Sequence, residues 1–227
     1  MYALYIANKN YSSWSLRPWL LMRETGIAFE ERLQVFGGGS NYEAFRSFSP
    51  SGKVPALVDG TITVWDSLAI AEYLAEAHDG IWQADRAARA WARSASAEMH
   101  SGFSDLRSTC GMNCGVRASL NSIPEPVSAD IARIDELWRE GLSRFGGPFL
   151  GGASFTAVDA FYAPVVFRTQ TYGLSLSPEG TAYRDRMLAL AGMRAWYEAA
   201  LVEPWREPGH EAELAQWATI TADFRRA

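Results

Sequence analysis

The chain has 227 residues, of which 48% are hydrophobic and 21% are charged, and its formal net charge is −5. This length and composition are typical of a globular protein with a sizeable core, and the lack of a basic block argues against a nucleic-acid partner. No apolar run is long enough to cross a bilayer, and the first residues lack the basic and then apolar pattern of a secretory signal. We therefore expect a cytoplasmic protein that binds neither membranes nor nucleic acid.

The first third of the chain alternates strand and helix patterns. It begins with a predicted strand at Tyr2–Ile6, a helix at Ser15–Glu24 and a second strand at Phe29–Val35. A flexible connector at Gly37–Ser40 and a short helix at Tyr42–Phe48 follow. The last elements are a hairpin of the strands Ala56–Val58 and Ile62–Trp65 and a helix at Ser67–Ala77. Asp59-Gly60 is a strong turn signal for the hairpin. This order predicts a mixed sheet that contains a parallel pair of strands.

From about Asp85 onward the pattern is helical. The predicted helices are Arg86–Leu106, Ala129–Phe145, Thr156–Thr171, Tyr183–Leu190, Met193–Glu203 and Glu211–Phe224, with a loop or broken helix at 111–128. Thr156 and Asp159 have the spacing of a capping box, in which each residue bonds the other at the start of a helix. The second part of the chain is therefore expected to be all-α.

The stretch around Val54-Pro55 predicts a small binding site. Proline cannot donate a ladder hydrogen bond, so Pro55 belongs at a strand entry or edge, and Val54-Pro55 is a candidate cis peptide bond. The backbone of Val54 would then be able to pair with an extended peptide. Ser67 opens a helix whose free N–H groups favour a carboxylate, and Asp66 beside it complements an ammonium group.

Three motifs, in order along the chain, resemble the cytosolic glutathione transferases. Ser12 and Arg17 match the Ser-x-x-x-x-Arg signature of the serine-type classes (zeta, tau and theta-like). The pair of motifs Val54-Pro55 and Asp66-Ser67 resembles a part of the family's thioredoxin-like domain. The segment 155–160 resembles the capping box that opens a core helix in the family's second domain. The resemblance implies an α/β plus all-α architecture: a thioredoxin-like βαβ-ββα domain at 1–78 and an all-helical domain at 85–227. It also implies a homodimer.

The resemblance assigns the thiolate-stabilising group to the start of the first helix. Ser12 stands five residues before Arg17, so it is the expected hydroxyl donor to the sulfur of glutathione, with Ser13 as the second choice. Tyr11 is the third candidate, because other classes of the family use a tyrosine near this position. A serine hydroxyl and a helix N-terminus both stabilise an anion there.

Glutathione itself is the implied co-substrate, and no metal is expected. Its cysteinyl part would pair with the backbone of Val54 beside Pro55, and its γ-glutamyl end would bind Asp66 and Ser67. Lys53 is the candidate for the glycyl carboxylate, with Ser40 and Asn41 as weaker ones.

The electrophile, expected to be small and hydrophobic, would bind between the two domains. Its predicted wall is drawn from both parts of the chain and consists of Tyr11, Trp14, Met99, Phe103, Arg107 and Met112. A lone histidine on a helix is more often structural than catalytic, so His100 is not expected to act as a base. Arg17 is expected to pack its helix against a neighbouring element.

Several alternatives to a transferase remain open. The same thiolate can isomerise a substrate, as in maleylacetoacetate isomerase, or cleave one reductively. Zeta-class isomerases carry a cysteine where this chain has Trp14, which weakens that assignment. A second alternative is a non-catalytic binding or regulatory protein of the same fold. A third is thiol-redox chemistry by Cys110 and Cys114, whose i, i+4 spacing could place them on one helix face.

Overall fold

A four-stranded mixed sheet forms the first part of the protein. The computed structural model describes residues 1–37 and 39–226, so one residue of the predicted Gly37–Ser40 connector lies outside the described residues. The strands are β1 (Tyr2–Ile6), β2 (Phe29–Leu33), β3 (Ala56–Asp59) and β4 (Ile62–Trp65). Their order is β2-β1-β3-β4, with β1 parallel to β2 and antiparallel to β3. The predicted mixed sheet with one parallel pair is confirmed.

Within the described residues, three helices accompany this sheet: α1 (Ser13–Glu24), α2 (Tyr42–Phe45) and α3 (Ser67–Ala75). The prediction that α1 begins at Ser15 was wrong by two residues, because the carbonyl of Ser12 already accepts a hydrogen bond from the Leu16 N–H at 3.2 Å. Ser12 is therefore the residue at the N-cap. This shift places Ser12 and Ser13 directly at the positive end of the helix.

The second part of the chain contains seven helices among the described residues: α4 (Arg86–Ser101), α5 (Ser104–Thr109), α6 (Glu125–Phe145), α7 (Ala157–Tyr172), α8 (Pro178–Leu188), α9 (Ala191–Val202) and α10 (Pro208–Trp217). The predicted single helix Arg86–Leu106 is broken, because Phe103 adopts a left-handed conformation with φ of +55°. None of the helices in the described residues is long and apolar enough to cross a membrane.

A two-stranded antiparallel ribbon interrupts the helical part. Its strands are β5 (Val116–Leu120) and β6 (Ala218–Asp223). The predicted helix Glu211–Phe224 therefore ends at Trp217, and part of the predicted loop at 111–128 is a strand. The β-branched run Thr219–Thr221 favours a strand, but its partner lies about a hundred residues away along the sequence, where a local pattern does not reveal it.

Helix α7 forms the centre of the molecule and joins its two parts. It packs against α1, α4, α8 and β5, and nearly every side chain on it is buried. The predicted capping box at its start is present, and the Asp159 carboxylate accepts hydrogen bonds from the N–H groups of Thr156 and Leu150, both at 3.0 Å. Burial raises the pKa of Asp159 to about 6. This buried cap fixes the start of α7, and the same helix packs against α1, which begins with the candidate catalytic serines.

Candidate active site

The loop before α1 is buried and is held by the second part of the chain. Asn8, Lys9 and Asn10 are all at least 94% buried despite their polarity. The Lys9 N–H donates to Glu203 at 2.8 Å, and the Lys9 carbonyl accepts from the indole of Trp196 at 2.8 Å. Because both backbone polar groups of Lys9 are held by the second part of the chain, the serines that follow it have defined positions.

Ser12 takes part in a short chain of hydrogen bonds at the start of α1. Its Oγ lies 2.7 Å from the Oγ of Ser15, which in turn accepts a hydrogen bond from the Ala7 N–H at 3.1 Å. When Ser15 donates to Ser12, the Ser12 hydroxyl proton is free to point away from the protein. Ser12 is only 5% exposed, so a ligand that it contacts is largely shielded from water on this side.

The neighbouring Tyr11 hydroxyl is already engaged. It donates to Glu211 Oε1 at 2.7 Å, and the same carboxylate accepts hydrogen bonds from Asn113 and Arg225. Burial and this hydrogen bond to Glu211 raise the pKa of Tyr11 above its ordinary value. Tyr11 is thus a poor candidate for delivering a proton or a hydrogen bond to a sulfur atom.

A cleft of about 770 Å³ opens beside the start of α1. From the first part of the chain it is lined by Tyr11, Ser12, Ser13, Trp14, Phe36, Ser40, Asn41, Tyr42, Phe45, Gly52, Lys53 and Val54. From the second part it is lined by Ser101, Ser104, Arg107, Ser108, Gly111, Met112, Arg168, His210 and Glu213. The volume suits a ligand of tripeptide size together with a small second molecule.

The structure brings most, but not all, of the predicted site residues to this cleft. The Val54-Pro55 peptide bond is cis, and Val54 and Lys53 line the cleft while Pro55 is buried behind it. Met99 and Phe103, predicted for the electrophile wall, instead lie in the hydrophobic core and do not line the cleft. The wall is consequently less apolar than the sequence pattern indicates.

Asp66 and Ser67 lie next to the cleft rather than on its lining. Asp66 has a φ of +76°, unusual for a residue other than glycine, and its carboxylate accepts a hydrogen bond from the Leu68 N–H at 2.8 Å. Its other oxygen lies 3.4 Å from the Nε2 of His100. Ser67 accepts a hydrogen bond from Arg17 at 3.5 Å. Strained backbone of this kind is concentrated at functional sites, which supports a binding role for Asp66.

Trp14 connects these two residues to the cleft. The ring of Trp14 lines the cleft, and its centroid lies 5.2 Å from that of His100 and 4.1 Å from the guanidinium of Arg17. Burial lowers the pKa of His100, while Asp66 opposes this effect. The predicted γ-glutamyl site and the cleft are therefore adjacent through the Trp14 side chain.

Sequence reasoning missed several lining residues. Arg168 comes from the middle of the buried helix α7, where its charge is the only local signal. His210 and Glu213 come from α10; His210 Nδ1 lies 2.6 Å from Glu207 Oε2, and its ring stacks on Tyr11. No motif marks these positions, because they reach the cleft only through the packing of distant helices.

Cys110 and Cys114 do not share a helix face, contrary to their spacing. Cys110 ends α5, and the residues between it and Cys114 are not helical. Both thiols are completely buried and free of disulfides. Burial raises the pKa of Cys110 to about 11 and raises that of Cys114 further. Such thiols stay protonated near neutral pH, which makes them poor nucleophiles.

Comparisons with known proteins connect this geometry to a family. Rat maleylacetoacetate isomerase is 26% identical over 219 residues, which cover 93% of this chain and 96% of that protein. A dichloromethane dehalogenase from Methylorubrum extorquens is 43% identical over 61 residues, but this match spans only 26% of this chain and 21% of the dehalogenase. The second similarity is thus confined to a short segment.

Solved structures share the fold. A glutathione transferase homologue from Burkholderia, with bound glutathione, superposes with a TM-score of 0.65 at 21% identity, covering 88% of this chain and 97% of that one. A theta-class glutathione S-transferase from Xanthomonas axonopodis pv. citri, also with glutathione bound, superposes with a TM-score of 0.62 at 23% identity. The superposition covers 86% of this chain and 96% of that one.

Two domain families match along the chain. Residues 11–77 match the glutathione S-transferase N-terminal domain, and residues 119–199 match the glutathione S-transferase C-terminal domain. The first match contains Ser12, Val54-Pro55 and Asp66-Ser67; the second contains the capping box of α7 and Arg168. The chain belongs to the glutathione S-transferase family.

Proposed function

We propose that the protein is a glutathione transferase in which Ser12 stabilises the glutathione thiolate. The observation that carries this proposal is the different state of two neighbouring hydroxyls on the cleft. The Tyr11 hydroxyl is committed to Glu211, whereas that of Ser12 is supported by Ser15 and faces the cleft at the N-terminus of α1.

The chemistry required of Ser12 is modest in energy. A free thiol has a pKa near ~8.5, and each unit by which the pKa falls corresponds to ~1.4 kcal/mol of selective stabilisation of the anion. A hydroxyl donor and the N-terminal end of α1 both favour the thiolate over the thiol. The thiol proton leaves to solvent, and the sulfur then forms a bond to an electrophilic carbon. In a substitution, the bond from that carbon to its leaving group breaks and the leaving group departs with the electron pair; in an addition, the double bond opens and its electron pair takes up a proton from solvent.

Glutathione is proposed to lie along the first part of the cleft. Its cysteinyl backbone would pair with Val54, and Lys53 would attract its glycyl carboxylate. The γ-glutamyl end would reach past Trp14 to Asp66 and Ser67. The residues on the cleft lining and the strained backbone of Asp66 support this placement.

An isomerase is the second candidate, because the similarity to rat maleylacetoacetate isomerase extends over 93% of this chain. Addition of the same thiolate to a conjugated double bond, rotation about the resulting single bond and expulsion of the thiolate would isomerise the substrate without net consumption of glutathione. Measuring whether glutathione is consumed during turnover separates the two candidates.

The test of Ser12 is a titration of bound glutathione followed by the ultraviolet absorbance of its thiolate. In Ser12→Ala we expect glutathione still to bind, but the pKa of its thiol to rise by about one unit or more. Ser13→Ala, at the adjacent position on the same lining, is the matched control and should leave the pKa nearly unchanged. An unchanged pKa in Ser12→Ala would remove Ser12 from the mechanism.

A homodimer is proposed for the assembly. The strand β4 lies at the sheet edge and exposes Ile62 and Trp65, which are 50% and 45% exposed, and Val64 and Leu68 adjoin Trp65 in a shallow apolar depression. A self-complementary contact between two copies would cover these side chains. Sedimentation velocity should show a dimer in the natural protein, and Trp65→Arg should shift it to the monomer; monomeric natural protein would contradict this assembly.

A further inference from the structure

Three arginine side chains near the cleft have no acidic partner. Among residues 1–37 and 39–226, no carboxylate oxygen lies within 4 Å of the guanidinium groups of Arg17, Arg107 or Arg168. Arg107 donates only to backbone carbonyls, of Gly102 at 3.0 Å and His100 at 3.4 Å. Arg168 donates to the Cys110 carbonyl at 2.7 Å. These contacts satisfy some N–H groups and neutralise none of the charge.

Burial makes this arrangement costly. Arg17 and Arg168 are only 3% and 4% exposed, and the Nε of Arg17 has no hydrogen-bond partner in the described structure. Burial lowers the pKa of Arg17 to about 9, with further contributions from Arg168 and Arg107, while Asp66 opposes this effect. Burial also lowers the pKa of Arg168 to about 10. Buried charges are normally paired, so this cluster lacks the anion that would stabilise it.

Other arginines of the chain differ from this cluster in their partners or in their burial. Arg225 and Arg133 each bond two carboxylates. Arg89 and Arg117 donate to backbone carbonyls, as Arg107 does, but both are only half-buried. Arg17 and Arg168 are therefore distinguished by nearly complete burial without a carboxylate partner among the described residues.

The surrounding acidic groups do not remove the positive charge. The Asp66 carboxylate is directed to the Leu68 N–H and to His100. Glu211 is engaged by Arg225. Glu213 lines the cleft, but it forms no ion pair with Arg107 or Arg168 in the described residues. An anion that enters the cleft would thus meet two guanidinium groups that still have free donors.

We propose that the electrophile carries a carboxylate and that Arg107 and Arg168 bind it. This inference rests on the proposed function, since it identifies the second substrate of the same cleft. It replaces the expectation of a purely hydrophobic electrophile, whose predicted apolar contacts Met99 and Phe103 lie in the core. Arg107 and Arg168 project from α5 and α7, whereas the residues assigned to glutathione come from the first part of the chain.

Arg17 and Trp14 complete the site without contacting the anion directly. The guanidinium groups of Arg17 and Arg107 lie 4.1 and 4.9 Å from the Trp14 ring centroid, so the indole holds both cations near the cleft. Arg17 adds positive potential from behind the lining, and Arg107 is the more accessible donor. Guanidinium groups match the planar geometry of a carboxylate, which favours this anion over a neutral polar group.

The experiment compares two ligands that differ in one carboxylate. Calorimetry is performed with glutathione, S-benzylglutathione and S-(4-carboxybenzyl)glutathione. We expect the carboxylated ligand to bind about tenfold more tightly than S-benzylglutathione. In Arg107→Gln this ratio should fall to about one, and in Arg107→Lys part of it should remain. Because the readout is a ratio, a uniform loss of binding does not imitate the effect.

One control and one second-site variant complete the test. Arg144→Gln removes a guanidinium that is paired with Glu140 on α6, away from the cleft lining, and should leave the ratio unchanged. Arg168→Lys keeps the second charge in the buried helix but loses the planar guanidinium, so the ratio should fall below that of the natural protein without reaching one. Equal affinity of the two ligands for the natural protein would overturn the proposal. If glutathione itself fails to bind, the proposed function fails, and the preference for benzoate over benzamide decides the anion site independently.

Discussion

The Tyr11 hydroxyl donates a 2.7 Å hydrogen bond to Glu211, two hundred residues further along the chain. This contact joins the loop before α1 to helix α10, and it determines which hydroxyl near the cleft remains available. The Tyr11 hydroxyl donates its hydrogen to the carboxylate, while the side chain of Ser12 next to it is hydrogen-bonded, among the described residues, to the Ser15 hydroxyl alone. The contact is therefore both a structural connection and a reason to assign the thiolate contact to Ser12.

Tyr11→Phe tests this assignment from the opposite direction. We expect the pKa of bound glutathione to stay within a few tenths of a unit, because the lost hydroxyl does not contact the sulfur. The free energy of unfolding should fall by about 1 kcal/mol, since Glu211 loses one of its donors. Urea denaturation and the thiolate absorbance titration measure the two quantities. A rise of one unit in the thiol pKa would instead make Tyr11 the thiolate donor.

Ser15→Ala should weaken the action of Ser12 without removing it. The substitution takes away the hydroxyl that lies 2.7 Å from Ser12 and leaves the Ala7 N–H without its acceptor. We expect a rise in the thiol pKa smaller than that of Ser12→Ala, and a stability loss of about 1–3 kcal/mol from the unpaired buried N–H. Ser13→Ala serves as the control in both measurements. A stability loss with no change in thiol pKa would show that Ser15 has only a folding role.

The two cysteines should be inert in the folded protein. Both side chains are completely buried, and burial raises their pKa values, so the reactive thiolate is scarce. We expect neither thiol to react with an aromatic disulfide reagent over minutes at pH 8, and both to react once urea unfolds the chain. Cys110→Ala and Cys114→Ala should retain glutathione-dependent turnover. Loss of turnover in either variant, with stability preserved, would restore the thiol-redox hypothesis.

Local motifs predicted the parts of the site that are close together in sequence. Val54-Pro55 is cis and borders the cleft, the Asp59-Gly60 signal lies in the β3–β4 hairpin, and Thr156 with Asp159 begins α7. Each of these signals depends on the conformational limits of one or two residues. Such limits act in the same way whatever the rest of the chain does.

The parts that the sequence did not predict depend on distant packing. The polar residues Asn8 to Asn10 are buried with hydrogen-bond partners from distant parts of the chain, which no local pattern reveals. Asn8 accepts from the Phe36 N–H, Lys9 donates to Glu203 just after α9, and Asn10 donates to Ala200 of α9. Arg168 reaches the cleft from α7, a mostly apolar helix whose sequence is typical of a buried core element. The strand β6 needs β5 to pair with, and in isolation its sequence continues the preceding helix. Tertiary contacts therefore decide the second half of the site.

Arg225 joins the β5–β6 ribbon to the cleft. Its side chain is 4% exposed and bonds both Glu211 and Asp223, and its Nη1 lies 3.3 Å from the Tyr11 hydroxyl. Arg225→Met should lower the free energy of unfolding at pH 7 by about 1–3 kcal/mol, because the two ion pairs are lost but both carboxylates are partly exposed to solvent. Arg144→Met, which breaks the exposed pair with Glu140, should cost less than about 1 kcal/mol.

The pH dependence of this loss has a defined sign. Burial alone would raise the pKa of Glu211, but the hydrogen bonds from Arg225 and Tyr11 outweigh it and lower this pKa. The hydrogen bond from Arg225 also lowers the pKa of Asp223. A carboxylate with a lowered folded-state pKa stabilises the protein above its unfolded pKa of about 4, and this contribution disappears as the pH falls through the folded value. The stability difference between the natural protein and Arg225→Met should therefore be constant from pH 6 to 8 and shrink below about pH 4. Urea midpoints measured across this range give the difference directly, and a difference that stays constant as the pH falls below about 4 would show that Arg225 stabilises the ribbon by packing rather than by its charge.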